Sequence, residues 1–539
     1  MASSARAEEQ QPLLAATPSG NQDQTREEGS LPQPEHGRLE DDVLPEESVL
    51  GRNIDWKSAY IISISRVIGS GLFAVPGVIL KSVGSIGLSL TLWILGAVIV
   101  ASGLAVSLEY GYLEFTYPRP RFLASTLIAV QAVLLGFTAS NCIIFSQYVF
   151  FAFDYEPADA WRKGLAVALL TVITVIHGVW YRAGIHIQNF LGWIKVLIIV
   201  FMIFSAFYVV LFRPNDIGSD APNVALRSTF SGWDSLWEGS DWSFGTIATS
   251  LFKVFYSYAG LTNLNNVLNE VVCEYSKDPV RTLKTVSLSA LITACFLYLL
   301  ANIAYFVVVP VEEIKQSGQL IAALFFERVF GQYIGRRLLP LAVALSAAGN
   351  VMVVTFALAR LNQEIARAGF LPFSRYLSSS KPFNAPMGGL IVHYIPSVYV
   401  TSDVEKNSNE VYSFILEVEG YPGQIYALAV TVGLIWLRYK QPDLKRPFKA
   451  WMPAVIFRAV LSLALLAAPF FPPSVPSSDG LWYATYAVVG TGVVVFGFIY
   501  WLVWTVLLPR IGGYRLEEEE DILDDGTKVT FFKRVAKTE

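Results

Sequence analysis

The sequence predicts an all-α polytopic membrane protein with about twelve transmembrane helices. Of its 539 residues, 53% are apolar and 16% are charged, and the mean hydropathy is +0.47. Soluble domains carry about 25% charged residues, whereas a helix that crosses a bilayer needs about 20 mainly apolar residues. Long apolar runs recur from residue 58 to residue 508. We therefore expect the chain to lie in a lipid bilayer. The sequence contains no basic stripe of the kind that would indicate nucleic-acid binding.

The apolar runs divide into twelve candidate spans. Most reach the length that a bilayer requires, and the ninth is short. We place the spans at residues 58–82, 86–113, 122–153, 163–181, 187–212, 244–270, 284–309, 335–361, 386–401, 411–437, 451–472 and 481–508. An even number of spans puts both ends of the chain on the same side of the membrane.

The two ends of the chain are polar. Residues 1–52 are rich in Glu, Gln, Ser, Pro and Gly, a composition typical of a disordered tail. Residues 509–539 form an acidic tail whose run EEEED (517–521) is either a solvated face or an interaction segment. The basic loop RYKQPDLKRPFK (438–449) predicts, by the positive-inside rule, that both tails are cytoplasmic. Such tails are places where cytoplasmic regulators would bind.

Small residues interrupt the first span. In SISRVIGSGLFAVPG (63–77), Gly69, Ser70 and Gly71 lie about eleven residues into the span, close to the bilayer centre. If the helix opens there, the second half presents free N–H groups to a carboxylate, and the first half ends in carbonyls near Val67 that suit an ammonium group. The break would thus hold both ends of an α-amino acid. The alternative is that these small residues only permit close helix packing.

A second interruption decides between these alternatives. The sixth span, LFKVFYSYAGLTNLNNVLNEV (251–271), is broken near its centre by SYAGLTN (257–263). Broken segments at corresponding positions are typical of inverted-repeat transporters with a binding site at the membrane midplane. We therefore favour a binding site.

Four further polar residues lie within the spans. Lys195 is about nine residues beyond His186, again near the midplane, and either carries a transported proton or is a fixed charge facing the opened first helix. Arg66 is a gate residue or a member of a structural ion pair, and Lys253 is a candidate outer-gate residue. Asn350 is expected to form an interhelical hydrogen bond.

The sequence gives no indication of an enzyme. The four histidines are dispersed, and no spacing suggests a nucleophile–base pair, a metal site or a cofactor. The spans also lack the continuous polar lining of a channel. The three cysteines Cys142, Cys273 and Cys295 are too few and too scattered for a disulfide framework, and the two within apolar spans are expected to act as small hydrophobic residues. Glu417 and Glu419 are given no role, because charged residues are common at the ends of spans.

Three segments resemble the amino acid–polyamine–organocation superfamily. They are VIGSGLFAVPGVIL (67–80), YSYAGLTN (256–263) with KDPVRTLK (277–284), and GLIWLRYKQPDLKRPFKAW (433–451). The similarity extends from about residue 55 to residue 510. It is closest to the L-type amino acid transporter branch, and within it to the fungal high-affinity methionine permeases.

The resemblance implies a five-plus-five inverted-repeat fold with two extra helices. Repeat one covers about residues 58–212, repeat two about 244–437, and the extra helices about 451–508. It also implies proton-driven uptake of a neutral L-amino acid, with Lys195 in the place that a sodium ion takes in related carriers, and the plasma membrane as location. The substrate-binding residues carried over are Val67, Gly69, Ser70, Gly71, Leu72, Tyr256, Ser257, Tyr258, Ala259 and Gly260.

The sequence departs from the family pattern at three places. The family usually has a Pro-Arg-Ser-Gly-Gly-like segment of the inner gate after the second helix, and this segment is missing from residues 109–115. Residues 272–276 look like an insertion. Leu261 replaces a large aromatic residue at the second break, which implies a different pocket shape. An amino acid sensor that has kept the binding site but lost turnover is therefore the alternative function.

Overall fold

Long helices make up most of the structure, as the apolar runs predict. The computed structural model describes residues 56–109, 117, 119–212, 232–261, 279–381, 383–402, 408–442, 449–473, 482–523 and 528–536. All of them belong to one compact unit, Leu44–Glu539.

The helices are numbered in chain order. Those before the break of the sixth span are α1 (Trp56–Val67), α2 (Ser70–Phe73), α3 (Val75–Val83), α4 (Ile86–Glu109), α5 (Leu123–Leu135), α6 (Ala139–Ala152), α7 (Asp159–Val179), α8 (Tyr181–Phe212) and α9 (Phe244–Tyr258). Those after it are α10 (Pro279–Val308), α11 (Val311–Ser317), α12 (Ile321–Tyr333), α13 (Leu339–Arg367), α14 (Ser374–Leu377), α15 (Met387–Ser402), α16 (Ser408–Lys440), α17 (Met452–Ala467), α18 (Thr485–Trp501) and α19 (Leu508–Ile511). Short π-helical turns join α12 to α13 and α18 to α19.

Nine helical segments within the described residues are long and apolar enough to cross a membrane. They correspond to nine of the twelve predicted spans. The other three are the first span, which is divided after the 12-residue α1, the sixth, whose helix α9 has 15 residues, and the ninth, whose helix α15 has 16. The polytopic helical fold is thus confirmed. The three spans below the length threshold are the two predicted to be broken and the one predicted to be short.

Most predicted boundaries lie within a few residues of the observed ones. Two helix ends differ by six residues: α8 begins at Tyr181 instead of residue 187, and α13 ends at Arg367 instead of residue 361. The third span is present at the expected residues, but it is divided into α5 and α6 by residues 136–138. That interruption was not predicted.

Side chains of α15 form hydrogen bonds with the backbone groups at the interruption in the third span. The Gly136 carbonyl accepts a hydrogen bond from His393 Nδ1 at 2.8 Å, and the Thr138 N–H donates to Ser397 Oγ at 3.2 Å. Because irregular backbone inside a membrane must find partners within the protein, α15 stabilises this break. The break makes Ser140 and Asn141 part of the first turn of α6.

Two helices fill the segment between the seventh and eighth spans, which the sequence did not assign to any element. Ile314 of α11 and Phe325 and Phe326 of α12 are completely buried. At Gly77 in α3, a Cβ atom would stand 2.0 Å from the Gly318 carbonyl oxygen. Only glycine permits this close approach, so α3 is held against the turn between α11 and α12.

The acidic tail forms a β-hairpin, a secondary structure that the sequence did not predict. Strands β1 (Tyr514–Ile522) and β2 (Lys528–Ala536) are antiparallel, with Tyr514 opposite Ala536 and Ile522 opposite Lys528. Phe532 of β2 packs against an aromatic cluster at centroid distances between 4.9 and 5.9 Å, formed by Phe122, Phe370 and Trp504. The acidic run of β1 remains largely exposed.

Candidate functional site

The first span is interrupted at the predicted position. Helix α1 ends at Val67, residues 68 and 69 are not helical, and α2 begins at Ser70. The Ile68 N–H still bonds to the Ile64 carbonyl at 3.0 Å, and the Leu72 N–H bonds to the Gly69 carbonyl at 3.0 Å. The predicted break is confirmed, and Val67 and Leu72 at its edges are buried. The side chains of Arg66 and Ser70 lie outside the described residues.

Three buried tyrosines supply hydrogen bonds to carbonyls of the opened first span. Tyr298 Oη donates to the Val67 carbonyl at 2.7 Å, and Tyr305 Oη donates to the Leu72 carbonyl at 3.3 Å. Tyr148 Oη lies 3.0 Å from the Phe73 carbonyl and 2.9 Å from that of Gln319. The carbonyl at Val67 therefore already has one partner, whereas the sequence predicted it to be free. A tyrosine inside an apolar span was the available signal for these residues.

The sixth span is also interrupted where the sequence predicts. Helix α9 ends at Tyr258, residues 259–261 form a 3₁₀ turn, and the remainder of the predicted break, from Thr262 onward, lies outside the described residues. The Tyr258 side chain lies in the core, with its ring 5.1 Å from that of Tyr298. Gly260 and Leu261 are buried, and Ala259 is exposed.

The two breaks contact each other directly. Tyr298 Oη lies 2.7 Å from the Ser257 carbonyl of α9 as well as 2.7 Å from that of Val67. A Cβ atom at Gly71 would stand 2.9 Å from Ser257 Cα. A hydroxyl has one hydrogen to donate, so the two carbonyls share a single donor at this point. The carbonyls of two broken helices thus converge on one position.

Lys195 lies in the middle of α8, and its side chain is completely buried. Its Nζ lies 3.5 Å from Oδ1 of Asn350 on α13. A Cβ atom at Gly349 would stand 3.0 Å from Lys195 Cε, so this glycine makes room for the lysine stem. The Asn350 amide in turn occupies the space above Gly69, where a Cβ atom would stand 2.1 Å from Nδ2. The lysine is therefore connected to the first break through one asparagine.

Hydrogen bonds also connect Asn350 to the second break. Asn350 Nδ2 donates to Asn141 Oδ1 at 3.1 Å, and Asn141 Nδ2 donates to Tyr256 Oη at 3.0 Å. Ser140 Oγ lies 2.8 Å from the same phenol oxygen. The interhelical hydrogen bond predicted for Asn350 is confirmed. The sequence did not single out Asn141 or Ser140, whose polar side chains in an apolar span were the only signal.

Lys253 of α9 forms an ion pair that the sequence did not anticipate. Its Nζ lies 3.2 Å from Glu417 Oε1 of α16 and 3.3 Å from Ser82 Oγ of α3. The lysine side chain is 5% exposed and that of Glu417 is 16% exposed. Glu417, which received no role from the sequence, is thus the charged partner that lets Lys253 be buried.

The structure does not bring all predicted site residues together. The contacts described above link Val67, Gly69, Gly71, Leu72, Tyr256, Ser257 and Lys195, of which Tyr256 is half-buried and the others are buried. Gly260 is buried and Ala259 is exposed. Lys253 belongs to the separate ion pair, and Tyr258 packs in the core. The described residues contain no group of three or more His, Cys, Asp or Glu side chains that could hold a metal ion.

Comparison with known proteins defines the class of this protein. A family model described as amino acid permease matches residues 54–496. The chain belongs to the amino acid permease family; it is an integral membrane transporter of amino acids and not an enzyme.

Its relatives include two permeases of Saccharomyces cerevisiae. The chain is 32% identical to the low-affinity methionine permease over 496 residues, covering 89% of this chain and 87% of the yeast protein. It is 33% identical to the high-affinity methionine permease over 479 residues, covering 86% and 80%. The human b(0,+)-type amino acid transporter 1 is 27% identical over 448 residues, covering 79% and 84%. The resemblance inferred from three short segments therefore holds over most of the chain.

Proposed function

We propose that this permease imports methionine, or another neutral L-amino acid, together with a proton by alternating access. The observation that carries the proposal is the convergence of the Val67 and Ser257 carbonyls, which come from two broken helices, on the single hydroxyl of Tyr298. An amino acid ammonium has three hydrogens to donate, so it can satisfy convergent carbonyls that share one hydroxyl hydrogen. The names of the two yeast relatives support methionine as substrate.

Each predicted site residue has a role in this proposal. The N–H groups at the start of α2, those of Ser70 and Gly71, bind the carboxylate, because the first N–H groups of a helical segment have no partner within it. The Val67 carbonyl, beside Gly69, accepts the ammonium, and Leu72 closes the pocket from the same span. The floor of the side-chain pocket and its further carbonyls come from Tyr256, Ser257, Tyr258, Ala259 and Gly260.

Coupling and gating involve charged residues around this region. Lys195 carries the coupled proton or acts as a fixed charge, and its burial next to Asn350 supports a role at the midplane. Lys253 and Glu417 form the outer gate, because their ion pair joins α9 to α16. Arg66, at the end of α1, is the inner-gate candidate.

We place the permease in the plasma membrane with both termini in the cytoplasm, where its tails would bind regulators. Contact with lipid is supported by large apolar side chains that are exposed on α8. Phe190, Leu197 and Phe204 are 65 to 69% exposed. An exposed apolar surface of this extent on a long helix is typical of contact with hydrocarbon.

The test is uptake of radiolabelled L-methionine by the purified protein in proteoliposomes, with and without a pH gradient that is acidic outside. Accumulation that depends on the gradient supports the proposal. Accumulation that is unaffected when the gradient is collapsed contradicts proton coupling. Competition by a series of unlabelled amino acids then defines the substrate class.

Binding of labelled methionine without accumulation would instead favour a sensor. This alternative is suggested by residues 110–115 and 272–276, where the sequence departs from the family pattern. A sensor and a transporter would use the same substrate-binding residues. A protein that neither binds nor accumulates any amino acid in the series would contradict both functions.

A further inference from the structure

We propose that Asn350 and Asn141, here called the amide relay, are positioning residues that couple the charge of Lys195 to the hydroxyl of Tyr256 at the second break. This inference rests on the proposed function and deepens it, because it names the groups that connect the coupling residue to the substrate pocket.

The relay is a continuous line of polar groups on four helices, buried except at Tyr256. It begins at Lys195 on α8, passes through Asn350 on α13 and Asn141 on α6, and ends at Tyr256 on α9. The successive distances are 3.5, 3.1 and 3.0 Å, and Ser140 Oγ extends the line by 2.8 Å. Lys195 is 0% exposed, Asn141 4% and Asn350 5%, whereas Tyr256 at the end of the line is half-buried. Bulk water therefore does not interrupt the line between Lys195 and Asn141.

The ammonium group determines the direction of every hydrogen bond in the relay. A charged lysine can only donate, so Asn350 must turn its Oδ1 toward Lys195 and its Nδ2 toward Asn141. Asn141 must then accept with Oδ1 and donate with Nδ2, which makes the phenol oxygen of Tyr256 an acceptor. Aligned hydrogen bonds in a low-dielectric region strengthen one another. The charge of Lys195 thus determines whether the Tyr256 hydroxyl accepts a hydrogen bond from Asn141 or donates one to it.

Removal of that proton permits the opposite direction. A neutral amine can accept, so Asn350 can present Nδ2 to Lys195 after its amide rotates by half a turn. Asn141 can follow by the same rotation, and the Tyr256 hydroxyl then donates to Asn141 Oδ1. The two arrangements use nearly the same heavy-atom positions. Two discrete states of one physical network are what energetic coupling between sites requires.

The relay is in contact with both broken helices, through Asn350 at the first and Tyr256 at the second. The Asn350 amide packs on Gly69, where a Cβ atom would stand 2.1 Å from Nδ2, so rotation of this amide changes the surroundings of the first break. Tyr256 lies in the last turn of α9, one residue before Ser257, whose carbonyl faces Tyr298. A change at Lys195 therefore reaches the elements that hold the carboxylate and the ammonium.

The experiment compares two kinds of transport in proteoliposomes loaded with the variants. Driven accumulation of labelled methionine under a pH gradient requires coupling, whereas counterflow exchange of methionine at uniform pH does not. For Asn141→Leu we expect driven accumulation to fall about tenfold, the size of one strong interhelical hydrogen bond, while exchange stays within about twofold. For Tyr256→Phe, which also removes a hydroxyl from the substrate pocket, we expect the same fall in driven accumulation, and its exchange rate does not enter the comparison. Asn350→Asp, which still accepts from Lys195 but cannot donate to Asn141, should behave like Asn141→Leu.

A double-mutant cycle gives the decisive measurement. If Asn141 and Tyr256 act in one line, the variant Asn141→Leu with Tyr256→Phe should accumulate no less than either single variant. The matched control is Asn362→Leu, since Asn362 is a buried asparagine of α13 that bonds to the Gly389 carbonyl at 3.4 Å. This control should leave the ratio of accumulation to exchange at the wild-type value.

Three outcomes would overturn the relay. They are additive effects in the cycle, equal losses of exchange and accumulation in both asparagine variants, and wild-type accumulation by Tyr256→Phe, which keeps the aromatic ring and so should fold. Wild-type protein that accumulates no amino acid would instead refute the proposed function. The two failures are therefore distinguishable in the same assay.

Discussion

Gly69 and Gly71 each face a group of another helix at the place where a side chain would begin. Gly69 contacts the Asn350 amide, and Gly71 contacts the backbone and side chain of Ser257. The sequence left two interpretations of these glycines, a broken helix and close packing. In the structure both are true at once, because the opened segment lies against α13 on one side and α9 on the other.

We predict that Gly71→Ala abolishes substrate binding. The added methyl group would stand 2.9 Å from Ser257 Cα, so α9 must move away and the converging carbonyls separate. Scintillation proximity binding of labelled methionine to purified protein measures the effect. The control is Gly492→Ala in α18, where a Cβ atom meets nothing within 4 Å, and this variant should bind like wild type. Unchanged affinity of Gly71→Ala would contradict the role given to the first break.

Tyr298, which the sequence did not identify, forms hydrogen bonds at both breaks. Its hydroxyl is buried between two backbone carbonyls, and a buried acceptor that loses its donor costs about 1–3 kcal/mol. Nothing in the local sequence distinguishes this tyrosine from others in apolar spans. Its role exists only because α1, α9 and α10 meet at one point.

We expect Tyr298→Phe to lower stability by about 1–3 kcal/mol in the absence of substrate, because two carbonyls lose their common donor. Saturating methionine should restore most of the loss if its ammonium takes the place of the hydroxyl. Thermal unfolding in detergent, with and without methionine, measures both effects. Tyr399→Phe, at a 67% exposed position, is the control. A loss that methionine does not reduce would speak against ammonium binding at these carbonyls.

At the scale of helices, the pair of Lys253 and Glu417 ties α9 to α16, and Ser82 adds α3. These contacts hold the second half of the first span and the first half of the sixth to a third helix. Removing one member of a buried pair typically costs about 3–5 kcal/mol, since the other charge stays buried without compensation. Separation of these helices during gating must overcome the same interaction.

We predict that Glu417→Gln and Lys253→Met each destabilise the protein by about 3–5 kcal/mol, and that the double variant is less destabilised than either single variant. Exchange of the charges, Lys253→Glu with Glu417→Lys, should restore uptake that each single reversal abolishes. Thermal unfolding and methionine uptake are the measurements. Lys533→Met removes an exposed pair with Glu519 and should cost about 1 kcal/mol or less. Additive losses in the double variant would show that the pair does not act as a unit.

The breaks in the three divided spans differ in how far the sequence reveals them. In the first and sixth spans, closely spaced small residues within an apolar run indicate an interruption. In the third span Phe137 and Thr138 follow a single glycine, and neither residue excludes a helix. The break there depends on His393 and Ser397 of α15, which supply hydrogen bonds from a distant part of the chain.

At the scale of the whole molecule, the carboxyl-terminal hairpin joins parts of the chain that are distant in sequence. Phe532 contacts Phe122 next to α5, Phe370 after α13, and Trp504 after α18. Arg121 forms an exposed ion pair with Glu518 at 3.3 Å. Because exposed pairs contribute about 1 kcal/mol or less, the aromatic cluster is what holds the hairpin in place.

We expect Phe532→Ala to release the hairpin, since the variant loses three aromatic contacts. Limited proteolysis followed by mass spectrometry should show faster cleavage within residues 514–536 than in wild type. Phe531→Ala is the matched control, because adjacent residues of a strand point to opposite faces. Equal cleavage rates for Phe532→Ala and wild type would exclude the aromatic anchor.

The sequence by itself determined the membrane class, the interruptions of the first and sixth spans, the place of Lys195 inside a span, and nine of its twelve spans that are long apolar helices in the described part of the chain. Each of these follows from local composition, since hydrocarbon accepts only long apolar helices and makes every glycine cluster or charge within them an exception. Only the tertiary structure decided which groups meet: Glu417 with Lys253, Tyr298 with both breaks, and the two asparagines between Lys195 and Tyr256. These partners come from different helices, and the buried polar groups of one helix are satisfied by whichever helices pack against it.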